Sequence, residues 1–115
     1  RGCLPISAVF EFGAGSGLSM RPRFLGADAD SDTRASPLLH LNGVPPAFLV
    51  AYGTRDFPHL IAQGARFAAA LRKLGVEVDE LPLAERTHFT ASYAGGETEG
   101  PWVPDALAFM AKHRR

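Results

Sequence analysis

The chain has 115 residues, 46% of them hydrophobic, with twelve basic and twelve acidic side chains and a formal net charge of zero. That length allows one domain over residues 1–115, with enough apolar material for a core. Nothing in the charge balance suggests binding to nucleic acid or an anionic membrane, both of which usually need a basic stripe or patch.

The only basic run, Lys112-His113-Arg114-Arg115, suits the end of a last helix, where cations oppose the helix dipole. No apolar run approaches the ~18 residues of a membrane span, and Arg1-Gly2-Cys3-Leu4 lacks the pattern of a signal peptide. The single Cys3 rules out an internal disulfide framework and is compatible with a reducing, cytoplasmic setting. Its apolar neighbours predict a buried, inert thiol.

Residues 3–12 read as a strand carrying Leu4, Ile6, Val9 and Phe10, with Pro5 favouring an edge or a start. Gly13 to Gly17 reads as a loop. Residues 18–41 mix short apolar patches with turn formers and predict an irregular connection with one or two short helices, polar and exposed from Asp28 to Thr33. Residues 47–52, Ala-Phe-Leu-Val-Ala-Tyr, have no polar alternation, the mark of a strand covered on both faces.

Residues 59–74 form the clearest helical pattern. Leu60, Phe67, Leu71 and Leu74 share a stripe with Ile61 and Ala68, and Gln63, Arg66, Ala70 and Lys73 fall opposite. Pro58 suits the first turn and Gly75 a left-handed cap. Gly64 lies on the apolar side, where it permits a close approach to a sheet. Residues 76–83 predict a third strand, less buried because of Glu77, Asp79, Glu80 and Pro82. A short helix over 89–93 follows, then a Gly-rich loop. A last helix over 102–113 has Val103, Ala106, Leu107 and Met110 inward, with Tyr93 and Trp102 packing against helices. Strand, connection, strand, helix, strand, helix implies right-handed crossovers and a mostly parallel sheet.

Two residues fall where such sheets place chemistry, just past the ends of successive strands. Asp56 closes Tyr52-Gly53-Thr54-Arg55-Asp56, and His88 stands in Arg86-Thr87-His88-Phe89, 88 − 56 = 32 positions later. An acid and then a histidine, separated by one helix and one strand, form the second half of a Ser…Asp…His order. The expected roles are general base for His88 and orienting acid for Asp56. Phe57, His59 and Phe89 flank the pair and are the candidate substrate-binding residues.

The serine half is missing. Ser16 and Ser19 do not satisfy Gly-x-Ser-x-Gly and read as loop serines. No His-Gly-Gly type oxyanion loop is present. Gly13-Ala14-Gly15-Ser16-Gly17 falls short of a dinucleotide fingerprint, because Leu18 occupies the third glycine position and Pro22 breaks the helix that should follow. The four histidines are well separated and lack partners at ligand spacing, so neither a metal nor another cofactor is expected.

These elements in this order, from the opening strand through Phe24-Leu25-Gly26, Ala35-Ser36-Pro37-Leu38, the Gly-x-x-Asp strand end and the His-Phe pair, resemble the C-terminal portion of an α/β-hydrolase of the esterase, lipase or arylformamidase type. The resemblance implies a partial α/β-hydrolase fold, a three-layer sandwich, acting on a small-molecule ester or amide through a Ser-His-Asp triad. Asp56 and His88 would be supplied by this chain and the nucleophile by a missing N-terminal half. It further implies that the 115 residues alone are inactive. The open sheet edge is expected to pair with the remaining protein, with a second copy, or in aggregates. The alternative is a non-catalytic α/β module that binds or docks.

Overall fold

In the computed structural model, which describes residues 1–17 and 20–114, the run without polar alternation is the middle strand of a parallel sheet. Leu18, Ser19 and Arg115 lie outside the described residues, and so does the reading of Ser19 as a loop serine. The elements in chain order are β1 (Gly2–Cys3), α1 (Ser31–Ala35), β2 (Ala47–Gly53), α2 (Pro58–Lys73), β3 (Val78–Leu83), α3 (His88–Tyr93) and α4 (Val103–Lys112), with single 3₁₀ turns at Ala14–Ser16, Pro37–His40 and Ala94–Gly96. Among the described residues the sheet has the order β1-β2-β3, all neighbours parallel.

The faces of β2 explain its composition. Val50, flanked by Phe48 and Tyr52, packs against Phe67 and Leu71 of α2 and against Phe10 and Val76. Leu49 meets Ala106 and Phe109 of α4, and Ala51 meets Leu83, Ala91 and Ala94 beside α3. Helices therefore cover both faces, and side chains alternating in direction must all be apolar. The edge strand β3 has only Leu83 fully buried, in keeping with its acidic residues.

Helix α2 starts on Pro58 and stops at Gly75, whose φ of 75° provides the left-handed exit. Gly64 packs on Tyr52 and Val50; a Cβ there would lie 3.4 Å from the tyrosine ring, so the helix does sit close to the sheet. Two assignments on this helix are corrected. Gln63 is completely buried, and Leu74 is exposed just beyond the last turn.

The Gln63 amide explains a larger correction. Of the expected strand over 3–12 only Cys3, in the two-residue strand Gly2–Cys3, is regular, with one further bridge from Ile6 to Ala51. Pro5 still accepts from the Ala51 N–H, but Ser7 adopts a φ of 48° and turns the chain off the ladder. Beyond it, the Phe10 and Glu11 N–H groups donate to Gln63 Oε1 at 2.9 and 3.0 Å, and the Phe12 N–H donates to Ser36 Oγ at 2.9 Å. Side chains thus supply the acceptors that a neighbouring strand would otherwise provide.

Cys3 is exposed rather than buried, because β1 is a two-residue edge strand with both residues at the surface. Within 28–33, Ser31 and Asp32 are buried, and Asp32 pairs with Arg21 at 2.7 Å. In α4 the inward side chains are Ala106 and Phe109, whereas Leu107 and Met110 face out. Gly2 makes this possible: a Cβ there would meet the Phe109 ring at 2.5 Å. Trp102 packs between the clusters below α3 and α4, but Tyr93 is exposed.

Candidate active site

The loops leaving β2 and β3 are stitched together by their backbones. Thr54 N–H donates to Leu83 O at 3.0 Å, Arg55 N–H to Arg86 O at 2.9 Å, and Glu85 N–H to Thr54 Oγ1 at 2.9 Å. Gly53 allows this approach. A Cβ on it would lie 2.0 Å from the Arg86 carbonyl oxygen, a separation that forbids any side chain. The glycine of Gly-x-x-Asp is therefore a packing requirement that brings two strand ends into register.

Each loop then presents one of the two candidate side chains. A turn closed by Asp56 N–H donating to Gly53 O directs the Asp56 carboxylate inward, where it is wholly buried. On the other loop, Thr87 caps α3: its hydroxyl accepts from the Thr90 N–H, and the Thr90 hydroxyl accepts from the Thr87 N–H. That cap fixes His88 as the first residue of the helix. Arg86 braces the loop from behind with a two-pronged pair to Glu97, at 2.9 and 2.6 Å. The hydrogen bond it donates to Glu97 raises the Arg86 pKa above its usual value, so the brace stays charged.

The two expected residues meet. His88 Nδ1 lies 3.2 Å from Asp56 Oδ1, which also accepts the Phe57 N–H at 2.7 Å. Asp56 Oδ2 is buried and has no hydrogen-bond partner among the described residues. A buried carboxylate with spare acceptor capacity beside a third-exposed imidazole favours the tautomer with the proton on Nδ1. Nε2 is then the nitrogen able to take a proton from a hydroxyl. The separation is at the long end of a hydrogen bond, as is common before a substrate tightens a site.

Beside His88 lies a hollow of about 440 Å³. It is lined by Phe57, His59 and Leu60 at and just before the start of α2, and by Val9, Phe12, Met20 and Phe24 from the first part of the chain. Phe57 and His59 stack with ring centroids 5.7 Å apart, and Phe57 lies 5.5 Å from the His88 ring. Two of the three candidate substrate-binding residues thus line the hollow. Phe89 does not; it stands edge-on to the His88 ring at 5.5 Å and is mostly exposed.

Sequence reasoning missed the walls at Val9, Phe12, Met20 and Phe24. Val9 and Phe12 were read only as part of a strand over 3–12, and Met20 and Phe24 only as apolar residues scattered among turn formers. Among the described residues no group of three or more His, Cys, Asp or Glu side chains is gathered to hold a metal ion, and no helix is long and apolar enough to cross a membrane. In comparisons with protein-family models, curated proteins and solved structures, nothing matches the chain.

Proposed function

We propose that this chain provides the acid and base of a serine hydrolase of the α/β-hydrolase type, cleaving carboxylic esters or related amides. The observation that carries the reading is the Asp56–His88 pair at 3.2 Å, held at the carboxyl ends of adjacent parallel strands. In this reaction Nε2 of His88 takes the proton of an attacking serine hydroxyl and returns it to the leaving group. Asp56 holds the tautomer and stabilises the imidazolium formed between those steps. The serine and the oxyanion donors come from polypeptide outside these 115 residues, since no Gly-x-Ser-x-Gly occurs within them.

The pair is tested without turnover. With ¹⁵N-labelled histidine, the neutral His88 of the 115-residue chain carries its proton on Nδ1, and Asp56→Ala moves the population toward the Nε2–H form. An unchanged tautomer in a folded variant removes the proposed role of Asp56. Activity tests the remainder. The 115-residue chain leaves short-chain nitrophenyl esters intact, whereas in the complete gene product Asp56→Asn lowers kcat by about 10⁴-fold. Serine-dependent hydrolysis by the short chain, or full activity of the Asn variant, overturns the proposal.

A further inference from the structure

The hollow beside His88 has a chemical character that the acid–base pair does not dictate. Among the described residues none of its lining side chains is Asp, Glu, Lys or Arg; apart from the two imidazoles of His59 and His88 they are apolar. A charged ligand entering it would lose hydration, and no described lining side chain is a permanently charged group that could compensate it. The volume of about 440 Å³ lies toward the small end of sites for organic ligands.

Three rings, Phe12, Phe24 and Phe57, share the walls with the Met20 thioether. Rings attract a flat aromatic guest through offset or edge-on contacts, and a thioether adds a sulfur–aromatic contact. A flexible alkyl chain gains neither and loses more conformational freedom when it is ordered.

We infer that this hollow binds a neutral aryl group of one or two rings. That this group forms part of a scissile ester or amide rests on the hydrolase reading; its binding does not. Phe24, 72% exposed, is the lining residue with most surface left to bury against such a ring.

The test is an NMR titration of the 115-residue chain with methyl 2-naphthoate, sodium 2-naphthoate and methyl octanoate. The neutral naphthoate shifts the Met20 methyl and the His59 and His88 ring signals, and binds at least about tenfold more tightly than either competitor. Phe24→Asp, at a position exposed enough for the fold to tolerate it, weakens that binding about tenfold or more. Leu107→Asp, on the outward face of α4, leaves it unchanged. Equal binding of the anion or the octanoate, shifts confined to other surfaces, or an unaffected Phe24→Asp overturns the inference. Naphthoate binding needs no nucleophile. Intact binding with no esterase activity in the complete gene product therefore counts against the hydrolase reading alone. Loss of binding in an active enzyme counts against the aryl hollow alone.

Discussion

Residues 1–46 and residues 47–113 build the same site by different physics. The second region is regular: β2, α2, β3, α3 and α4 follow one another with short connections, and backbone bonds between strand ends position Asp56 and His88. The first region has a two-residue strand, a short helix and isolated turns. It is held to β2 by the β1 pairing and the Pro5 and Ser7 bonds to Ala51, to α2 by the Gln63 side chain and to itself by Ser36, and it contributes Val9, Phe12, Met20 and Phe24 to the hollow. The regular half therefore fixes where a proton can move, while the irregular half shapes what sits beside it. Damage to one should separate from damage to the other.

The strongest separation comes from Gly53. Gly53→Ala pushes a methyl group into the Arg86 carbonyl, where 2.0 Å is the available distance. The β2 and β3 loops must part, and the Asp56–His88 contact goes with them. We expect a loss of about 3 kcal/mol of stability, the upper range for overpacking, because the obstacle is backbone rather than a movable side chain. Chemical denaturation measures it, and the Nδ1–H signal of His88 should vanish in the protein that remains folded. A stable variant with that signal intact would mean that the two loops do not depend on each other.

Gln63→Leu strikes the other region. The leucine fits an apolar environment, but it strands the buried Phe10 N–H and the Glu11 N–H, both of which the amide oxygen now accepts. Unpaired buried groups cost roughly 1–3 kcal/mol each, less where water can reach them. An overall loss of about 2 kcal/mol is expected, smaller than for Gly53→Ala. Amide exchange should accelerate over residues 8–16, while His88 retains its Nδ1 proton. If His88 loses that proton as well, the halves are coupled more tightly than their contacts indicate.

The same division marks what the sequence discloses. The expected strand over 47–52 and helix over 59–74 are observed to within one residue at each end, because an unbroken apolar run and a 3.6-residue stripe are local signals. Asp56 and His88 were legible for the same reason: each follows a readable strand end. Residues 10–12 were not legible, since their hydrogen-bond partners lie 24 to 53 positions away on Ser36 and Gln63. The polar character of Gln63 placed it on the wrong face of α2. In α4, Leu107 and Met110 competed with Phe109 for the inner face, and the decision rests with Gly2, the distant residue that makes room for the larger ring.

Surface charge offers the smallest expected effect and a finer version of the comparison, because each region carries one depressed carboxyl group. Asp28 is lowered by its hydrogen bond from Arg34, helped by the Asp30 N–H, and Glu77 by its hydrogen bond from Lys112. Both acids have folded pKa values below their unfolded ones. Their contributions are therefore complete above the ordinary carboxylate range and disappear as pH falls through the folded values. Both pairs are exposed, so the effects are slight and screened by salt. Thermal unfolding between neutral and acidic pH should show a shallow decline, flattened a little by Asp28→Asn and separately by Glu77→Gln. The two flattenings should add in the double variant, as expected for sites that share no partner. A double variant that departs from the sum would show that the irregular and regular halves exchange energy through charges as well as through Gln63.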